Sequence, residues 1–157
     1  MKQKLPRVLA FLLAAAVVLG WALWPRPLDR MLKDLPAAPA VRVDYWLTAE
    51  GYISAQWEAG SPEAQEILDL LSSTTYCHSL SGLLSFDNLL PDQNRQSGFL
   101  TVELEDEDGQ RWLMGFQGTQ VNFHSPGQSL RSGYRPADGT IHGQIVAMVE
   151  EANQKTD

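Results

Sequence analysis

The sequence predicts an α+β domain: an antiparallel sheet of about five to six strands with two helices packed on one face. An N-terminal transmembrane or signal helix precedes it. Three observations carry this. Several short runs, such as Val41 to Leu47 and Phe99 to Glu105, alternate apolar and polar residues, the period of a half-buried strand. Two stretches, Ala64 to Leu71 and Ile141 to Ala152, repeat apolar residues at helical spacing. Residues 8 to 24 form an apolar run without a charge.

Charge divides the chain. The first 34 residues hold six basic and two acidic groups, and the remaining 123 hold six basic and 17 acidic groups. The sums are +4 and −11, which return the net −7. Nucleic acid is a poor partner for so acidic a body, because phosphate contacts need clustered Lys and Arg. A single cysteine, Cys77, excludes an intramolecular disulfide and a cysteine-based zinc site. A length of 157 residues suits one domain.

The leader, residues 1–24, joins Lys2, Lys4 and Arg7 to the apolar run. At about 1.5 Å per residue that run extends roughly 26 Å as a helix, against a hydrocarbon core of about 30 Å. Trp21 and Trp24 stand at its far end, where amphipathic rings favour the membrane interface, and Pro25 and Pro27 stop it. The expectation is a retained single-pass anchor through residues 8–24, with the basic flank in the cytoplasm and the body outside. Secretion after cleavage at Ala14-Ala15-Ala16 or Gly20-Trp21-Ala22 is the alternative.

Residues 25–40 read as a Pro-rich linker holding the domain off the membrane. Leu28, Met31, Leu32 and Leu35 recur at helical spacing, so a short membrane-surface helix is the second reading. The domain is expected over 41–152, with 153–157 a polar tail. Val41 to Thr48 and Tyr52 to Glu58 alternate around Ala49-Glu50-Gly51 and predict a hairpin. Ser61 and Pro62 predict a helix start, as N-cap and first helical residue. Ser72 to Thr75 predicts its fading. Residues 76 to 97 fit neither period. Phe99 to Glu105 and Arg111 to Gln117 flank an Asp-Gly turn, then Thr119 to His124 and Leu130 to Tyr134 predict further strands. A final helix follows Asp138-Gly139-Thr140.

Candidate chemistry is thin. Cys77 lies beside His78, but neighbours on a strand face opposite ways, and a catalytic pair needs sulfur and imidazole within hydrogen-bond reach. A small buried cysteine is the plainer reading. The run Glu105-Asp106-Glu107-Asp108-Gly109 fails as a calcium loop, because Leu104 and Gly115 fall where the first and the bidentate ligands belong. His78, His124 and His142 have no metal-ligand spacing, and no phosphate loop or nucleophile elbow occurs. No catalytic residue, metal ligand or cofactor is expected.

The aromatics point elsewhere. Tyr45, Trp46, Tyr52 and Trp57 crowd one hairpin. If Val41, Val43 and Tyr45 face the core, Trp46 faces away from it, and packing under a neighbouring loop is the plainer reading beside exposure to a partner. Trp46, and Phe86 in the apolar stretch Leu80 to Leu90, are the candidate partner surfaces.

The basic-apolar leader, the Pro-rich stretch, SPEAQEILDLLSS, TVELEDEDGQRWLMGF and SGYRPADGTIHGQIVAMVEE together resemble small uncharacterised extracytoplasmic domains of Gram-positive bacteria. The resemblance implies an envelope location and brings no activity to any residue. Members of that group often carry a lipobox cysteine, which this chain lacks. The expectation is a non-enzymatic, membrane-anchored binding domain for an envelope protein, with a basic partner favoured by steering. A small-ligand sensor is the alternative, and a Cys77-dependent enzyme comes after it.

Overall fold

A computed structural model describes residues 4–47, 51–79 and 98–155. It is an α+β fold with one antiparallel sheet of eight strands, in the order β1-β4-β8-β7-β6-β5-β2-β3. In chain order the elements are α1 (Lys4–Ala22), β1 (Arg26–Pro27), α2 (Leu28–Met31), β2 (Ala40–Leu47) and β3 (Gly51–Trp57). Then come α3 (Pro62–Ser73), β4 (Thr75–His78), β5 (Phe99–Glu105), β6 (Arg111–Gln117), β7 (Gln120–His124), β8 (Arg131–Pro136) and α4 (Ile141–Gln154).

Six strands and the helices α3 and α4 lie where the alternation and the helical stripes place them. The sheet is nevertheless larger than the expected five to six strands, and there are four helices among the described residues. The two additional strands are β1 and β4, which pair with each other at one end of the sheet. An Arg-Pro strand is too short to show any period. Thr75 to His78 follow a serine-threonine run that reads as a dissolving helix. Pairing with β8 makes them a strand: Tyr76 turns inward, fully buried, and its hydroxyl donates to the Leu71 carbonyl at 2.8 Å.

One face of the sheet carries the core. Val41 and Val43 of β2, Leu100, Val102 and Leu104 of β5, Trp112, Met114 and Phe116 of β6, and Val121 and Phe123 of β7 are all buried. Ile67 and Leu71 of α3 and Ile141, Ile145 and Val149 of α4 close over them. Local chemistry starts each helix. The Ser61 hydroxyl accepts from the Ala64 N–H at 3.3 Å, and Asp138 accepts from the Thr140 N–H at 2.8 Å, just before α4. The β5–β6 turn is held by Asp106, whose carboxylate accepts from the N–H groups of Asp108 and Gln110, while Gly109 takes φ 77°.

The segment 25–40 is not a stalk. Leu28, Met31 and Leu32 are buried in the same core as α3 and the sheet. Its backbone is tied down as well. The Trp112 indole N–H donates to the Lys33 carbonyl at 2.8 Å, the Arg131 guanidinium donates to the Arg30 carbonyl at 2.7 Å, and the Lys33 N–H donates to the Ser125 hydroxyl at 3.3 Å. The helical spacing of Leu28, Met31 and Leu32 is therefore a docking stripe for the core. The polar tail is also shorter than expected: Asn153 belongs to α4 and donates to the Ser54 carbonyl on the outer edge of β3 at 3.2 Å.

Only residues 23–25 separate α1 from β1. Among the described residues no helix is long and apolar enough to cross a membrane. The uncharged part of α1, from Val8 to Ala22, spans roughly 22 Å, short of a hydrocarbon core of about 30 Å. Its apolar side chains are exposed all round, Val8, Phe11, Leu13, Val18 and Trp21 among them.

Candidate binding surface

The sheet face opposite the helices holds a row of three exposed aromatic residues. In β2, Tyr45 turns to the core side and Trp46 to the other. Strand register sets the neighbours of Trp46: Tyr52 of β3 on one side and Phe99 of β5 on the other. The three are 53%, 42% and 41% exposed, high for large aromatic residues in paired strands. The Trp46 and Tyr52 rings lie 4.5 Å apart at 45°. The Phe99 ring reaches over Gly115 of β6, where an added Cβ would stand only 3.3 Å from its Cζ. Glycine at 115 thus lets Phe99 lie down along the sheet. Gln117, opposite Phe99, continues the row.

Two residues along each strand, the next row is polar. Asp44 pairs with Ser54 on one side and Thr101 on the other. Its Oδ1 accepts from the Ser54 hydroxyl at 2.7 Å, the Arg42 Nε at 3.1 Å and the Tyr52 hydroxyl. Partial burial pushes the Asp44 carboxyl up, but the bonds from Tyr52, Ser54 and Arg42 outweigh it and hold its pKa below the usual value. Arg42 also donates to the Tyr52 hydroxyl at 3.2 Å. Among the described residues, the charges nearest the aromatic row are therefore matched to each other. Further along this face, Arg111 is engaged by Glu103 at 3.1 Å and Glu105 at 2.9 Å.

Of the two predicted contact residues, Trp46 is in this row, and Phe86 lies outside the described residues. The other candidates are separately engaged. The Cys77 sulfur contacts the Arg135 carbonyl at 4.0 Å. The adjacent His78 stacks on Tyr134 with centroids 3.9 Å apart. Burial, and then the charge of Arg26, lower its pKa. His142 meets Tyr45 and Phe116 edge-on at 5.8 and 6.4 Å, and burial lowers its pKa too. Among the described residues no group of three His, Cys, Asp or Glu side chains could hold a metal ion. Nothing in their arrangement points to catalysis. Tyr52 and Phe99 carried a parity signal in sequence, each lying opposite in phase to its strand's apolar residues. Their adjacency to Trp46 required the order β3-β2-β5.

Comparison with family models, with curated proteins and with solved structures finds no match.

Proposed function

We propose that this chain is a non-enzymatic binding domain that works outside the cytoplasm, in the cell envelope, and engages its partner through the outer face of the sheet. The observation that carries the reading is the row Tyr52–Trp46–Phe99, three exposed aromatic rings on three adjacent strands with none of the described helices over them. Contiguous exposed aromatic surface is characteristic of interaction sites. The envelope location rests on α1, a basic-flanked apolar helix whose side chains the domain leaves uncovered. A helix apolar on all sides needs an apolar medium, and 15 uncharged helical residues fit the core of a signal segment. With three residues between α1 and β1, a retained helix would keep the domain close against the membrane.

The test is a crosslinked, detergent-solubilised capture of the full-length chain from its native envelope, wild type against Trp46→Ala. A partner enriched by wild type and lost in Trp46→Ala supports the reading. Equal capture by the two chains removes the outer face from the function. The N-terminal residue of the chain recovered from the envelope tells a retained helix from a cleaved one.

A further inference from the structure

We propose that the partner of the outer face is a neutral polysaccharide, bound by stacking of its pyranose rings on the row Tyr52–Trp46–Phe99. This inference rests on the outer face being the binding surface and adds the chemical class of what it binds.

Four observations select that class. The row is straight and set by register, and two strand spacings put its ends about 10 Å apart, enough to lie under two successive hexose rings. It is also accessible, with Phe99 laid over Gly115 instead of standing upright. A pyranose ring has an apolar face of C–H groups and a rim of hydroxyls. The C–H face suits the negative face of an aromatic ring. The rim needs donors and acceptors alongside, and the Ser54–Asp44–Thr101 row supplies them one step away, with Gln117 at the end of the aromatic row.

Charge argues against the other occupants. Arg42 and Asp44 neutralise each other beside the row, so among the described residues no free cation is offered to a phosphate or a uronic acid. Among the described residues no free carboxylate reaches the row to capture a basic peptide, because Asp44 already accepts three hydrogen bonds. Among the described residues, acidic groups concentrate away from the row, at the Glu105–Asp108 turn and along α3. A basic protein steered by the net charge would meet those first. A second copy adding a strand at β3 is opposed by Asn153, which occupies the outward Ser54 carbonyl.

The experiment is native affinity electrophoresis of the full-length chain in detergent. The gels are cast with soluble neutral polysaccharides (cellulosic, laminarin-type and starch-type glucans and a mannan), and chitin oligomers are titrated separately. At least one of these is expected to bind wild type. Trp46→Ala and Phe99→Ala should each weaken that binding about tenfold or more, the factor that corresponds to about 1.4 kcal/mol. Trp46→Phe should keep most of it, and circular dichroism checks that each variant is folded. Added salt should leave the binding unchanged, because a neutral ligand has no charge to screen. Absence of binding to every glycan overturns the proposal, as does binding that Trp46→Ala leaves intact or that salt abolishes. A photocrosslinker at position 46 in the native envelope separates the two readings. Capture of a protein there, without glycan binding, overturns the glycan and keeps the outer face. No capture and no glycan binding overturns both.

Discussion

The two faces of the sheet are woven from the same strands and share adjacent residues, yet they meet opposite surroundings. On the inner face Tyr45 meets His142 and the core. On the outer face its neighbour Trp46 is half exposed and touches Tyr52. Aromatic content does not separate the faces, since Phe116, Phe123 and Trp112 lie inside and Tyr52, Trp46 and Phe99 outside. The helices do. α3 and α4 cover one face, and the segment 28–32 fills what they leave open. An aromatic ring in the covered face contributes to stability through burial. A ring in the open face gains little from folding and is available for a partner.

This contrast can be broken from the inside first. Phe116→Ala removes a buried ring near the end of β6 and should cost roughly 3–5 kcal/mol in denaturant unfolding. A loss under about 1 kcal/mol would mean that the inner face is not the core. Gly98→Ala tests the boundary between the faces. A Cβ there would collide with the Tyr45 ring and lie 2.6 Å from the Trp46 carbonyl oxygen. Backbone cannot give way as a side chain can, so the expected cost is roughly 1–3 kcal/mol, accompanied by weaker binding through a displaced Trp46. Trp112→Phe keeps a ring in place but leaves the Lys33 carbonyl without its indole donor. About 1 kcal/mol should be lost, with faster proteolysis of residues 26–35 as the local readout.

A smaller effect comes with pH. Burial lowers the pKa of His78 and of His142 below the ordinary value of 6.5. The unfolded chain then binds protons that the folded chain refuses. Stability should be full above about pH 6.5 and should decline as the pH falls below it, followed as the midpoint of thermal unfolding. The side chain of His142 has a buried Nε2 without a hydrogen-bond partner among the described residues, so His142→Phe should remove part of that decline. A midpoint equally flat in wild type and variant between neutral pH and pH 5 would refute the burial of both rings. The smallest expected change is the most informative. Trp46→Ala should shift stability by no more than about 0.5 kcal/mol while weakening binding about tenfold or more. A large destabilisation there would make the outer row a structural feature.

Much of this was legible in the chain. Alternation over Val41–Leu47 and Phe99–Glu105, the Ser61-Pro62 start and the Asp106–Gly109 turn are local signals, and six strands and two helices follow from them. Trp46 was legible by parity, since a residue next to a core-facing Tyr45 must face the other way. Tyr52 and Phe99 were not legible as its companions, because adjacency across strands depends on the order β3-β2-β5. The segment 25–40 was misread for a related reason. Its stripe of Leu28, Met31 and Leu32 shows that something apolar must cover it, but the stripe itself does not distinguish a membrane from a core.

The sequence by itself determined where the chain is extended, where it is helical and which residues of each element share a face, because those follow from dihedral preference, capping and period. Only the tertiary structure decided which elements are neighbours. That step drew residues 26–35 into the core, joined β1 to β4 at the sheet's end and aligned three aromatic residues from separate strands. Such contacts are selected by the shape and burial of the whole molecule, which no local pattern encodes.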